Sequence, residues 1–184
     1  MWSIAGSLTP QPVLDRTDLL ATPVADALAG LDPADRERCA VAEIDPDLAD
    51  TAAFCATYGS PLSASANCVV VAGKREGEQR YAACLVLATA RADVNGVVRR
   101  RLDVRKASFA PMDDAVARTG MAYGGITPFG LPAGWPLLID AAVAAAPELV
   151  VGSGVRASKL LVPGDVLAKL PGAEVVDGLG RPIG

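Results

Sequence analysis

The sequence predicts an α/β protein of the α+β type: a single domain whose mixed, mainly antiparallel sheet is wrapped by short helices. Three observations predict it. Two apolar, strand-like runs at 67–73 and 80–88 flank a polar turn from Lys74 to Gln79, the pattern of a long hairpin. The other strand-like runs alternate with short helical stretches, and Gly or Pro interrupts the chain too often for long helices. The 184 residues, 51% apolar and 21% charged, suffice for one domain with a proper core.

Residues 1–38 are broken by Pro10, Pro12, Pro23 and Pro33. A short helix fits between Asp15 and Gly30, and the segment reads as an N-terminal extension packed on a domain that spans 39–184. Residues 39–44 read as a strand, which Asp45-Pro46 ends. A helix follows at 48–58, where Leu48, Ala52, Phe54 and Cys55 repeat at helical spacing and Gly59 supplies the stop. Beyond the hairpin, 94–102 reads as a helix, 107–110 as a strand, and 112–118 as a helix ended by Gly120. Residues 123–132 are rich in Gly and Pro but framed by apolar side chains, which marks a structured loop rather than a linker. Strands at 136–140, 148–151 and 159–162 come next, then a helix at 164–170 and a closing strand at 173–176.

Composition narrows the chemistry. Aromatic residues make up only 4%, so Val, Leu, Ile and Ala must fill the core. A net charge of −4 and a pI near 4.8 argue against a dedicated high-affinity nucleic-acid binder; any such contact is expected to be local, weak and salt-dependent. Histidine is absent, which removes Ser-His-Asp and Cys-His catalysis. Without histidine or a C-x-x-C pair, no metal site is expected, and no cofactor motif is evident. Cys39, Cys55, Cys68 and Cys84 read as reduced thiols, three of them inside apolar runs. No run approaches the roughly 20 apolar residues of a membrane span, and no signal peptide is evident. The expected location is the cytoplasm.

Three motifs carry competing readings. Asp45, Asp47 and Asp50 cluster as a metal site would, but helix capping explains them more simply. Gly152-Ser-Gly-Val-Arg-Ala157 has dinucleotide-fingerprint spacing, yet a strand and Pro163 follow it, so a tight turn with backbone N–H groups for an anion fits better. Arg99, Arg100 and Arg101, with Arg105 and Lys106, form either a solvated helix face or a foothold for phosphates.

From about Val41 to Gly178 the order of segments resembles the YbaK/EbsC family, the aminoacyl-tRNA editing domains associated with prolyl-tRNA synthetase. The resemblance rests on Gly124-Gly-Ile-Thr-Pro128, similar to the family's G-x-x-x-P loop. Thr119-Gly120 precedes it and Leu138-Ile-Asp140 follows. Val151-Gly-Ser-Gly154 with Arg156, Leu160-Leu-Val-Pro-Gly-Asp165 and the Leu102-Asp103 segment complete the set. It implies a mixed sheet wrapped by short helices and hydrolysis of the ester of wrongly charged tRNA. It also implies two partners, the aminoacyl-tRNA acceptor end and an aminoacyl-tRNA synthetase. In that frame Asn67 and Gly124 would be the catalytic positions. Gly125, Pro128, Asp140, Gly152, Ser153 and Gly154 would bind substrate, with Asp140 at the pocket wall meeting the amino group. Arg99, Arg100 and Arg101 would touch nucleic acid. Turn geometry remains the alternative for Gly124 and Gly125, and an N-cap or turn hydrogen bond for Asp140.

One departure stands out. The family carries a lysine at the start of its first hairpin strand, and this chain has Asn67 there, in Ala66-Asn-Cys-Val-Val-Val71. Asn keeps a hydrogen-bonding head but loses charge and reach. Three functions follow: a trans-editing deacylase with an altered pocket, a non-catalytic relative that binds an aminoacyl group, tRNA end or synthetase, or a hydrolase of another small acyl ester.

Overall fold

The computed structural model describes residues 1–183. In chain order they form strand β1 (Gln11–Pro12), helices α1 (Thr22–Ala29) and α2 (Pro33–Arg36), strand β2 (Ala40–Glu43) and helix α3 (Thr51–Tyr58). The hairpin β3 (Ala66–Arg75) and β4 (Glu78–Leu87) follows, then β5 (Ala90–Ala92), α4 (Arg99–Leu102), β6 (Ala107–Phe109) and α5 (Met112–Thr119). The C-terminal part holds β7 (Leu137–Asp140), α6 (Ala141–Ala145), β8 (Leu149–Gly152), β9 (Ser158–Val162), α7 (Gly164–Leu167), β10 (Ala173–Val176) and β11 (Gly180–Pro182).

The strands divide between two main sheets instead of the one that the sequence suggests. One sheet runs β1-β2-β9-β8, and every neighbour pair in it is antiparallel. The other runs β10-β7-β4-β3-β6 and is mixed, since β7 lies parallel to both β10 and β4. A small ribbon pairs β11 with β5. The hairpin is the long antiparallel pair expected, in register from Ala66 opposite Leu87 to Arg75 opposite Glu78.

The main core lies between the sheets. Leu85, Leu137 and Ile139 from the mixed sheet meet Val41, Val151, Leu160 and Val162 from the other. Residues 1–38 feed these cores directly. Val24 and Leu28 of α1 are fully buried in the main core, and Ile4, Ala5 and Leu8 join a second cluster around Phe54. The opposite face of the mixed sheet is covered by Val98, Leu102 and Val104, packed on Val71, Ala82 and Cys84. That second covered face explains why the hairpin carries apolar residues at consecutive positions and not only at alternate ones.

Helix starts follow side-chain capping. The carboxylate of Asp45 accepts from Asp47 N and starts a 3-10 turn at Pro46–Leu48. Asp50 accepts from Ala52 N and Ala53 N and starts α3, which ends at Gly59 with φ +74°. The helix expected over 48–58 is therefore two pieces, because Asp50 restarts it.

Candidate active site

The first half of β3 borders a gap. Strand β6 pairs with β3 only at Val71, Ala72 and Gly73. Ahead of that, Ser65 makes a single parallel bridge to Val150 of the neighbouring sheet. The gap opens into a cavity of about 420 Å³, a size suited to a small ligand.

Four pieces of chain wall it, and a fifth, from Phe109 to Ala115, reaches its rim. The segment Ala49, Asp50 and Thr51 leads into α3, whose buried Phe54 also lines the space. Residues Ser65 to Val70 of β3 and its approach form the second wall. The third carries Tyr123, Gly124 and Ile126, and the fourth carries Val150, Val151, Gly152, Arg156 and Lys159. The mouth holds three exposed apolar side chains, Phe109 at 61%, Met112 at 52% and Tyr123 at 60%. Such a rim suits a flat ring or an acyl chain better than bulk water.

Asn67 and Gly124, from segments far apart in the chain, both line this cavity, and Gly152 joins them. Asn67 is half-buried, and its Oδ1 accepts from Thr51 Oγ1 at 3.0 Å. Gly124 has φ +84° and is exposed; a Cβ there would lie 2.5 Å from Arg156 Nη1. Arg156 Nη1 in turn donates to Tyr123 O at 3.3 Å.

The other expected ligand-binding residues lie elsewhere. Asp140 does not line the cavity. It is buried as the N-cap of α6, accepting from Ala142 N at 2.8 Å and from Gly180 N. The capping alternative is thus the one realised, because a helix starts at the next residue. Gly125 is packed against the Val155 backbone, where a Cβ would meet Val155 O at 2.6 Å. Pro128 is buried and absent from the lining.

The turn after β8 braces the loop. Gly154 N donates to Gly125 O at 2.7 Å, and Ala122 N donates to Gly154 O at 2.8 Å. Ser153 is fully buried, and its hydroxyl donates to Ser158 O at 3.1 Å. Strands β8 and β9 on either side are antiparallel, so the turn has no dinucleotide-type helix to hold a phosphate. Gly154 therefore holds the Gly124 loop in place, and Ser153 ties the turn to β9.

The arginine cluster is also remote from the cavity. Leu102, the last residue of α4, is buried in the cluster on the other face of the mixed sheet. Arg99, Arg100 and Arg101 are exposed, and Arg101 pairs with Glu174 of β10.

Among the lining residues not expected at the site are Lys159, buried in β9, and Asp50, which the sequence reading weighed only in the Asp45, Asp47 and Asp50 cluster. For Lys159 a signal existed, since it is the lone charge inside an otherwise apolar strand run.

A family model described as aminoacyl-tRNA editing domain matches residues 45–170. The chain belongs to the aminoacyl-tRNA editing domain family. The cavity walls from Ala49 to Lys159 all fall inside the matched stretch. Solved structures show the same fold. A candidate trans-editing enzyme for prolyl tRNA synthetase superposes with a TM-score of 0.70 at 20% identity, over 88% of this chain and 99% of that one. A scaffold from computational epitope-backbone grafting gives 0.71 at 22%, over 88% and 97%. The shared fold joins a mixed sheet to short helices in one unit. Among its described residues no helix is long and apolar enough to cross a membrane.

Proposed function

We propose that this editing-domain protein is an aminoacyl-tRNA deacylase acting in trans, which hydrolyses the ester of mischarged tRNA in a pocket altered at Asn67. The observation that carries this reading is the shared cavity: Asn67 and Gly124 border one ligand-sized space whose mouth is rimmed by exposed Phe109, Met112 and Tyr123. The rim would pack against the terminal nucleoside, and the apolar wall of Val69, Val70 and Ile126 would take the amino-acid side chain. An aminoacyl ester is already activated, so positioning and stabilisation of developing charge supply most of what hydrolysis needs. Gly124 offers its main chain without a Cβ in the way, and a neighbouring ribose hydroxyl of the substrate can assist.

Asp50 takes over the part first given to Asp140, since it is the one carboxylate on the cavity wall and can meet an ammonium. Contact with tRNA beyond its end would be weak and salt-dependent, with Arg99 and Arg100 as the free foothold. We divide the chain near residue 38, with 1–38 an extension whose apolar side completes the core, and we place the protein in the cytoplasm.

The hydrogen bond from Thr51 to Asn67 favours a second reading, a binding relative without catalysis, because the amide oxygen is already engaged within the protein. Deacylation of a panel of mischarged tRNAs by the wild type, Asn67→Ala and Asn67→Lys separates the two. Hydrolysis by the wild type that falls in Asn67→Ala is the expected result. No hydrolysis by any of the three proteins leaves the binding relative.

A further inference from the structure

Of the two buried charged residues among the described residues, Asp140 and Lys159, only the first has its charge fully engaged. Asp140 accepts two backbone N–H groups. Lys159 is 7% exposed on β9, the strand flanked by β2 and β8. Its ammonium has three donors. One goes to Ala49 O at 2.9 Å, and the face of Phe54 lies 5.4 Å away. None of the ion pairs among the described residues includes Lys159. Asp50, the nearby carboxylate, is engaged in capping α3.

An ammonium held this way costs stability unless something else completes its shell. Burial lowers its pKa from the ordinary lysine value, with Arg156 adding in the same direction and Asp50 opposing. Lys159 nevertheless lines the cavity, and the cavity is where its remaining donors find a partner. Its depth selects the partner. A free phosphate would have to shed its hydration with no attached nucleoside or side chain whose binding offsets that cost. A carbonyl oxygen enters uncharged with the acyl group and gains negative charge only on attack.

We propose that Lys159 is the oxyanion-binding residue of this cavity, donating to the carbonyl oxygen of a bound acyl ester. That the ester is an aminoacyl ester rests on the deacylase reading above. Water adds to the carbonyl carbon, and the C=O electron pair moves to the oxygen held by Lys159. Collapse restores C=O and breaks the bond to the ribose oxygen. One water proton ends on that ribose oxygen, and the second is released as the amino acid ionises. Lys159 keeps its own protons throughout, so nothing is oxidised or reduced.

The test uses two probes on the full chain: adenosine carrying 1-aminoethylphosphonate as a 3′ ester, which bears the tetrahedral anion, and 3′-alanylamido adenosine, which bears a neutral carbonyl. Binding is measured by calorimetry for the wild type, Lys159→Met and Lys159→Arg. Lys159→Met is expected to weaken the phosphonate at least tenfold and the amide less than threefold, with Lys159→Arg recovering part of the loss. Equal loss for both probes, or no loss, overturns the proposal, as does a wild type that ignores the phosphonate. Should Lys159→Met fail to fold, the wild-type Lys159 ammonium signal in ¹H–¹⁵N spectra decides instead: it must shift with the phosphonate and much less with the amide. Deacylation is scored separately. A kcat loss of about 100-fold with KM nearly unchanged is expected for Lys159→Met. A wild type that hydrolyses no tRNA yet shows the phosphonate-selective loss removes the deacylase reading and retains Lys159.

Discussion

Gly124 and Gly134 make a matched pair. Their φ angles are +84° and +83°, both in the region that side chains disfavour. Replacing either by Ala incurs backbone strain of about 1–2 kcal/mol. In a chain of this size that lowers Tm by about 2–8 °C. The surroundings differ. A Cβ at 134 meets nothing within 4 Å, whereas at 124 it lies 2.5 Å from Arg156 Nη1. That guanidinium must swing away, and its 3.3 Å bond to Tyr123 O is lost. An exposed hydrogen bond of this kind adds at most about 1 kcal/mol to the stability loss. Activity separates the pair far more. Gly134 is not on the cavity wall, so Gly134→Ala should retain wild-type kcat/KM. On the deacylase reading proposed above, Gly124→Ala places a methyl group where the ester approaches, and a misplacement of about 1 Å can cost about 100-fold. The assay is thermal melting by circular dichroism beside deacylation of the best mischarged tRNA. Equal kcat/KM in the two variants would refute the reasoning and reduce Gly124 to turn geometry.

Asp140→Ala should lower stability by about 1–3 kcal/mol, because two N–H groups lose their acceptor; kcat should stay at the wild-type value, since the residue does not line the cavity. The four thiols should titrate as free after denaturation without reductant. In the native state Cys39 and Cys84 should resist thiol reagents, because burial pushes each thiol up to about 12; fast labelling of either would contradict that.

Local signals made much of this legible. The hairpin showed in its turn and apolar runs, and the caps showed in Asp45 and Gly59, because capping and turn chemistry act within a few residues. The cavity lining was legible as far as Asn67, Gly124 and Gly152. Asp140 misled because α6 is a five-residue, Ala-rich helix with almost no apolar periodicity to announce it, so its cap looked like a loose carboxylate. Lys159 was hidden for a different reason. A lysine in a strand ordinarily marks a solvated face, and only Ala49 and Phe54, more than a hundred residues earlier in the chain, place this one indoors by packing over β9. Strands β5 and β11 pair residues about ninety positions apart, a contact that no local pattern encodes.

The open stretch of β3 has a consequence for how the protein meets other chains. An unpaired strand edge is a template for another strand and thus a route to aggregation. Here the edge runs only from 66 to 69, between the bridge at Ser65 and Val70, whose carbonyl accepts from Ala110 N at 2.9 Å. Its residues are buried or half-buried. An incoming strand would need a longer and flatter run than that. The same shortness that denies an incoming strand a template leaves a local break in the ladder, and the cavity beside Asn67 opens at that break.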